Sequence, residues 1–366
     1  MEEAGMSTFH GSDLEKIEEI YGIPKEDIVS FAANVSPLGI SDGFIDAMKD
    51  RLRCIEKYPE RDYSELRRAI SGYCGIRADD IIVGNGSSEL IGAVIRHKKE
   101  PKTLIVAPAY SEYERDVRIA GGEVHYFDLR ESEDFRLDAA ELADRADESF
   151  DLMIICNPLN PTSGAVKARD MRMILDRCEE LGVICMVDET YVDFADDVFD
   201  ASCLTSEYKS LFVIRSMSKF FCAPGLRLGY ALTSDRDIIS GIDAVRDPWS
   251  VSSFAETAGA YMLNDGEYID RVKEYIAGER QRVCDRLSGL RDKGIKYYAP
   301  EANFVLVRLP EHKISADRLF ETAIRKRMMI RDCSSFRGLD ESYVRFCFMK
   351  REDNDRLLDL IEETVS

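Results

Sequence analysis

The chain of 366 residues is poor in residues arranged to hold metal ions or covalent cross-links. It has four histidines, and its ten cysteines are scattered without a CxxC pair. This spacing fits neither a zinc site nor a disulfide framework, so we expect no metal and reduced thiols in a cytoplasmic protein. The sequence also lacks a run of 18 apolar residues and an apolar N-terminal segment. We therefore expect neither a membrane span nor a signal peptide.

Positive charge is scarce as well. Lys and Arg number 49 against 69 Asp and Glu, which gives a net charge of −20. A field of this sign repels phosphate backbones and argues against nucleic acid as a partner, although a local basic pocket for a small anion is still allowed. The hydrophobic fraction of 45% is enough for one large or two ordinary cores.

The middle of the chain alternates short apolar runs with amphipathic stretches. Seven runs read as strands, at 81–84, 103–108, 123–129, 152–158, 183–189, 211–216 and 228–233. Helical patterns lie between several of them, as at 88–97, 111–122 and 168–182. This alternation predicts an α/β fold with a mostly parallel sheet whose strands are buried on both faces.

The pattern changes beyond residue 250. Two long helical stretches, at 252–264 and 266–294, lead into short strands and further helices. We expect a large domain over 46–250, then an interdomain helix and a small α+β domain over 251–366. Residues 1–45 are too few to fold alone and are expected to pack on the small domain.

Polar residues follow several of the predicted strands, where α/β proteins place their sites. Gly86, Ser87 and Ser88 stand where a helix begins, which suits either an anion site or an ordinary helix cap. Asn157 follows a buried strand in CNPLNPTSG, a segment that also reads as a plain turn. Asp188 ends another apolar strand and should have a cationic or N–H partner.

Lys219 follows a strand within the segment SMSKFFCAPGLRLGY. A lone lysine is usually a solvated charge, but this setting favours a nucleophilic amine that forms a Schiff base. Asn157, Asp188 and Lys219 are spaced 31 residues apart, far enough for a strand–helix–strand unit between each pair. With the pattern SxSKxxxxPGLRxGY, this order resembles the fold-type I pyridoxal-phosphate enzymes of the class I/II aminotransferase family.

The resemblance implies pyridoxal 5′-phosphate as cofactor, held in an α/β/α large domain beside a smaller α+β domain. Lys219 would bind the cofactor covalently and move protons at the substrate Cα, and Asp188 would keep the pyridine nitrogen protonated. Asn157 and Tyr191 would hydrogen-bond the ring 3′-oxygen, and Tyr110 would stack on the ring. The residues expected around the cofactor phosphate are Gly86, Ser87, Ser88, Ser216, Ser218 and Arg227.

Tyr58, in KYPERDY, resembles a tyrosine that reaches the cofactor phosphate of a neighbouring subunit. The resemblance therefore implies a homodimer with shared active sites. Ordinary core packing of Tyr58 is the alternative.

Two branches of the family fit the details: the threonine-phosphate decarboxylases of cobalamin synthesis and the histidinol-phosphate aminotransferases. The N-terminal segment and RDPWSVSSFAETAG resemble the decarboxylases more closely. Both branches act on small phosphorylated substrates. For a decarboxylase we expect O-phospho-L-threonine or O-phospho-L-serine, which is one methyl group smaller. A non-catalytic cofactor-binding regulator is a remote alternative. The residues expected to hold the substrate are His10, Gly11, Asn34, Asn157, Arg331 and Arg345.

Three of the residues discussed for the substrate site have simpler explanations. His10 could be a surface residue near the terminus, Trp249 could be core packing, and Arg331 could form a surface salt bridge. Two guanidinium groups nevertheless suit a substrate that carries both a carboxylate and a phosphate.

Overall fold

The computed structural model describes residues 13–195 and 199–366. The helices are α1 Leu14–Tyr21, α2 Asp42–Arg51, α3 Ser64–Cys74, α4 Ser87–His97, α5 Ser111–Ile119, α6 Ala139–Arg145, α7 Ala168–Leu181, α8 Arg236–Val245, α9 Ser253–Leu263, α10 Gly266–Ser288, α11 Ala316–Arg325 and α12 Arg351–Val365. The strands are β1 Val29–Ser30, β2 Ile81–Gly84, β3 Lys102–Ala107, β4 Glu123–Asp128, β5 Leu152–Cys156, β6 Ile184–Asp188, β7 Leu211–Ser216, β8 Gly229–Leu232, β9 Lys296–Tyr297, β10 Phe304–Arg308, β11 Met328–Met329, β12 Arg331–Asp332 and β13 Tyr343–Cys347.

The seven strands predicted in the middle of the chain form one sheet in the order β2-β8-β7-β6-β5-β3-β4. All neighbouring pairs are parallel except those made by β8, which runs antiparallel to β2 and β7. The predicted α/β fold with a mostly parallel sheet is confirmed.

Successive side chains of the central strands enter two different cores, because Cβ atoms alternate between the faces of a sheet. Ile154 of β5 packs with α4, α5 and α8 on one face. Ile155 packs on the other face, in the larger core that includes α6 and α7. Both faces are thus covered by helices, which explains why the strands read as continuous apolar runs.

The C-terminal part forms a separate four-stranded sheet in the order β12-β13-β10-β9. Strand β1 of the N-terminal segment pairs in parallel with β11. This pairing joins the N-terminal segment to the small domain at β1, while the division into 1–45, 46–250 and 251–366 stays a prediction. The helix expected over 266–294 is shorter, since α10 ends at Ser288 before Gly289 and a short 3₁₀ turn over Arg291–Lys293.

The carboxyl ends of the parallel strands bring several predicted site residues to one edge of the large sheet. Cys156 at the end of β5 is the Cα partner of Asp188 at the end of β6. Asp188 in turn is the partner of Ile214 in β7, two residues before Ser216. Within the described ranges, no helix combines the length and the apolar character needed to cross a bilayer.

Candidate active site

Lys219 lies in a cleft of about 150 Å³ between the large sheet and the small domain. Its Nζ donates a hydrogen bond to the carbonyl oxygen of Ala33, at 2.7 Å. Burial and the nearby charge of Arg345 lower the pKa of Lys219 to about 8. A larger share of this amine is therefore unprotonated near neutral pH than in an ordinary lysine, as a nucleophile requires.

Asp188 is buried below the cleft with hydrogen-bond donors on both carboxylate oxygens. The hydroxyl of Tyr113 donates to Oδ2 at 2.6 Å. The backbone N–H and the hydroxyl of Thr190 donate to Oδ1 at 3.0 and 2.6 Å. These neutral donors satisfy the sequence expectation that a buried carboxylate needs partners.

The loop before α4 and the segment after β7 meet around the guanidinium of Arg227. Gly86 has a φ of +81°, and a Cβ added there would lie 2.3 Å from Nη2 of Arg227. The positive φ is strained for any residue with a Cβ, and such a residue would also displace the Arg227 guanidinium. Ser218 donates its backbone N–H to Oγ of Ser216 at 3.2 Å, and Ser87 is the first residue of α4. Ser88, in the first turn of α4, is exposed.

Asn157 is fully buried and its side chain is used within the fold. Its Nδ2 donates to the carbonyl oxygen of Phe199 at 3.2 Å, and its Oδ1 accepts from the backbone N–H of Val166 at 2.9 Å. The structure therefore does not bring this side chain among the residues that line the cleft. Asn160, three residues further along the same loop, lines the cleft instead and accepts a hydrogen bond from Arg345.

Tyr191, Asn34 and Tyr110 all line the cleft with Lys219. Asn34 Nδ2 donates to the hydroxyl of Tyr191 at 3.5 Å. Its Oδ1 is buried and has no hydrogen-bond partner among the described residues. Burial raises the pKa of Tyr191, and it raises the pKa of Tyr110 to about 12. Both phenols are therefore protonated hydrogen-bond donors at neutral pH.

Arg331 and Arg345 are cross-strand neighbours on β12 and β13. Arg345 is 6% exposed; Nη2 donates to the carbonyl oxygen of Ala32 at 2.8 Å, and the guanidinium lies 5.3 Å from the ring centre of Phe304. In the described parts of the chain, Nε of Arg345 has no hydrogen-bond partner.

Arg331 lies nearer the mouth of the cleft and donates from Nη2 to Oγ of Ser335 at 3.0 Å. Burial, followed by the like charge of Arg345, lowers its pKa. Neither arginine forms an ion pair within 4 Å with a carboxylate of the described residues. The surface salt bridge considered for Arg331 is thus not found among the described residues, and we propose that the two guanidinium groups bind an anion.

The remaining predicted residues lie away from the cleft or outside the description. Tyr58 is 83% exposed, and its ring centre lies 5.3 Å from that of Trp249, which is 40% exposed. Core packing therefore does not explain either residue. His10 and Gly11 fall outside the residues that the structure describes.

Sequence reasoning missed several residues of this site. Asn160 belongs to the same loop as Asn157, in the second of its two Asn–Pro pairs, whereas the prediction used the first. Tyr113 lies in the first turn of α5, three residues after Tyr110, which precedes the helix. Ser335 and Phe336 line the mouth of the cleft but carry no pattern that indicates a site.

Comparison with known proteins agrees with this geometry. Residues 26–361 match the family model described as aminotransferase class I and II. The chain belongs to this family. The threonine-phosphate decarboxylase of Salmonella typhimurium is 30% identical over 98% of this chain and 96% of that protein. The histidinol-phosphate aminotransferase of Methanothermobacter thermautotrophicus is 31% identical over 97% of this chain and 94% of that protein.

The solved structure of the histidinol-phosphate aminotransferase from Clostridium acetobutylicum superimposes with a TM-score of 0.85 at 31% identity, covering 92% of this chain and 98% of that one. The fold is therefore the fold-type I arrangement of pyridoxal-phosphate enzymes, as the sequence motifs predict. The chain is an enzyme of this family, and its cofactor is pyridoxal 5′-phosphate.

The residues of the cleft fit this cofactor. A buried amine of lowered pKa stands at its centre, and Asp188 lies below it. Glycine at position 86 lets the Arg227 guanidinium lie against the backbone where α4 begins, and a cation beside a helix N-terminus suits a phosphate. We propose that Asn160, rather than Asn157, approaches the ring 3′-oxygen together with Tyr191, because Asn160 and Tyr191 line the cleft and Asn157 does not.

Proposed function

We propose that this enzyme decarboxylates O-phospho-L-threonine to (R)-1-amino-2-propanol O-2-phosphate, a step of cobalamin biosynthesis. The observation that carries the proposal is the pair Arg331 and Arg345, which lack carboxylate partners among the described residues and face the same cleft as Lys219. Two guanidinium groups match a substrate with a carboxylate and a phosphate. The 30% identity to the threonine-phosphate decarboxylase of Salmonella typhimurium supports this choice.

We assign one of the two substrate anions to each arginine, according to how deeply that arginine lies in the cleft. The substrate amine would lie next to Lys219, and the carboxylate is attached to the same Cα as this amine. Arg345 is the more deeply buried of the two arginines, and its charge contributes, after burial, to the lowered pKa of Lys219. On this basis we assign the carboxylate to Arg345. Arg331, nearer the mouth, binds the phosphate.

The residues of the cleft then have separate tasks in the reaction. The bound cofactor supplies an electron sink for the charge that develops at Cα when CO₂ leaves. Arg345 would bind the substrate carboxylate and hold the bond between Cα and the carboxylate in the orientation in which it breaks. Asp188 keeps the ring nitrogen protonated, and Lys219 returns a proton to Cα. The phenol of Tyr191 donates to the ring oxygen.

A second copy of the chain completes the site in this proposal. Leu52, Ile55 and Tyr58 contribute exposed apolar surface within one short segment, with 54%, 62% and 83% exposure, and the ring of Tyr58 contacts that of Trp249. Exposed apolar side chains that lie together often mark a protein–protein interface. We infer that a second copy covers this surface and that Tyr58 reaches the cofactor phosphate of the neighbour. Light scattering should therefore give the mass of a dimer, and Tyr58→Ala should weaken cofactor binding.

Amino transfer to or from histidinol phosphate is the second candidate. The 31% identity and TM-score of 0.85 to the Clostridium acetobutylicum histidinol-phosphate aminotransferase favour it. O-phospho-L-serine is a second substrate candidate for decarboxylation, because one methyl group is worth only about 1–3 kcal/mol in a pocket.

The test is a CO₂-release assay on the purified, cofactor-loaded enzyme. Carboxyl-labelled O-phospho-L-threonine and O-phospho-L-serine are compared, while the absorbance reports whether the cofactor is an aldehyde or an amine. We expect labelled CO₂ with the cofactor still in its aldehyde form, and no turnover by Lys219→Ala. Absence of CO₂ from both substrates, with conversion of the cofactor to its amine form by histidinol phosphate, would replace the decarboxylase with the aminotransferase.

A further inference from the structure

Tyr113 is the only described residue that donates a side-chain hydrogen bond to Oδ2 of Asp188, at 2.6 Å. The other oxygen, Oδ1, has two donors, both from Thr190. The side chain of Asp188 therefore accepts three hydrogen bonds from the described residues. A carboxylate offers about four acceptor positions, so one lone pair is left for a further donor.

Tyr113 is itself held firmly. It is 1% exposed and belongs to the core between the large sheet and α4 and α5. Burial raises the pKa of Tyr113 well above its usual value, so the phenol keeps its proton. The neighbouring thiol of Cys156 donates to the carbonyl oxygen of Pro158 at 3.1 Å. The stronger acceptor near the phenol, the carboxylate of Asp188, thus receives the phenolic proton.

The ring of Tyr113 also packs against a residue of the cleft wall. Tyr110, which lines the cleft, packs edge-on against Tyr113, with ring centres 5.6 Å apart and planes at 88°. Tyr113 therefore touches both a residue of the cleft wall and the carboxylate below it. Tyr113 itself does not line the cleft, so its role would be to fix the position of the groups that it contacts.

We propose that Tyr113 is a positioning residue, which holds the carboxylate of Asp188 in the orientation that binds the ring nitrogen of the cofactor. The proposal rests on the role given above to Asp188. Loss of the phenol leaves Oδ2 without its donor and lets the carboxylate turn toward Thr190. Loss of the Thr190 hydroxyl is less severe, because the backbone N–H of Thr190 still holds Oδ1.

The test compares pyridoxal 5′-phosphate with 1-deazapyridoxal 5′-phosphate, in which a carbon replaces the ring nitrogen. Dissociation constants of both are measured by absorbance titration for the wild type and for Tyr113→Phe, Thr190→Val and Asp188→Asn. We expect Tyr113→Phe to reduce the preference for the natural cofactor about tenfold, the scale of one hydrogen bond to a charged group. Thr190→Val should reduce it less.

Tyr21→Phe is the matched control. The hydroxyl of Tyr21 also donates to a carboxylate, Glu321, at 2.7 Å, but between α1 and α11. Its deletion should leave the preference unchanged. Equal weakening of both cofactors by Tyr113→Phe would overturn the proposal and leave Tyr113 with a packing role only.

Thr190→Val keeps the proposal testable if Tyr113→Phe does not fold. An effect of Thr190→Val equal to that of Asp188→Asn would contradict a holding role for Tyr113, since the phenol would then contribute nothing. If Asp188→Asn itself leaves the preference unchanged, the role of Asp188 is wrong and the proposal falls with it. A preference lost in Asp188→Asn but retained in Tyr113→Phe would overturn the role of Tyr113 alone.

Discussion

Two arginines of the described chain are buried to a similar degree but have opposite surroundings. Arg215 in β7 is 2% exposed and Arg345 in β13 is 6% exposed. Arg215 pairs with Glu189 at 2.9 Å, Asp193 at 3.2 Å and Asp200 at 2.6 Å. Arg345 has only a carbonyl oxygen and the amide oxygen of Asn160 as acceptors within the described residues, and its Nε has none.

The difference separates a structural charge from a functional one. A buried charge without a counter-charge is costly, so a fold keeps it only where a ligand supplies that counter-charge. The partners of Arg215 belong to the chain and tie β7 to the turn after Tyr191. The Arg215 charge, against the opposing effect of burial, lowers the pKa of Asp200 to about 2. The missing partner of Arg345 is, in our proposal, the carboxylate of the substrate.

The largest expected effect is that of Arg215→Met on stability. The substitution leaves Glu189, Asp193 and Asp200 close together without their cation, which costs about 3–5 kcal/mol. Urea unfolding of both proteins would measure this loss. The control is Arg172→Gln, which breaks the exposed pair with Glu207 and should cost less than about 1 kcal/mol. A loss for Arg215→Met no larger than that of the control would contradict a structural role.

Arg345→Gln should behave in the reverse manner. No carboxylate of the described chain loses a partner, so the urea midpoint should not fall. The substrate carboxylate does lose one, and kcat/KM for O-phospho-L-threonine should fall about 100-fold, or about 2.7 kcal/mol. Steady-state kinetics and the cofactor absorbance check this. Loss of the cofactor spectrum instead would place Arg345 among the structural charges.

The pH dependence of cofactor capture sharpens the comparison further. Lys219 attacks the cofactor only when unprotonated, and its pKa is about 8. The capture rate of the apoprotein should thus rise with pH to a midpoint near 8 and then level off. In Arg345→Gln the midpoint should move upward by less than about one unit, because the like charge is gone while burial, the larger cause, remains. An unchanged midpoint in stopped-flow measurements would contradict the proximity of the two residues.

The smallest expected effect concerns the ion pair between the domains. Arg337 donates to Asp128 at 2.6 and 2.8 Å, just after Phe336 in the cleft wall. With 52% and 49% of the side chains exposed, the pair is worth at most about 1 kcal/mol. Arg337→Gln should raise the KM for O-phospho-L-threonine about threefold. Arg172→Gln removes a pair with 43% and 49% exposure inside the large domain and should leave KM unchanged.

Arg215 and Arg345 also show which features of the protein can be predicted from its sequence and which cannot. The strands of the large sheet and the cofactor motif were predictable because burial on both faces produces continuous apolar runs and because SxSKxxxxPGLRxGY is specific. Arg331 and Arg345 were expected as substrate residues. Their lack of carboxylate partners, and the three ion pairs of Arg215, depend on segments far apart in the chain. Asn157 and Asn160 share the same Asn–Pro pattern, so only the packing of the loop distinguishes them.

The most direct test of this account is the contribution of the phosphate to binding. Calorimetry on cofactor-loaded Lys219→Ala, which cannot turn over, would compare O-phospho-L-threonine with L-threonine. We predict that the phosphorylated ligand binds about 100-fold more tightly and that adding Arg331→Gln removes most of this difference, as expected for a charged hydrogen-bonded pair. Equal affinities for the two ligands would contradict the assignment of the unpaired arginines to a substrate with two anionic groups.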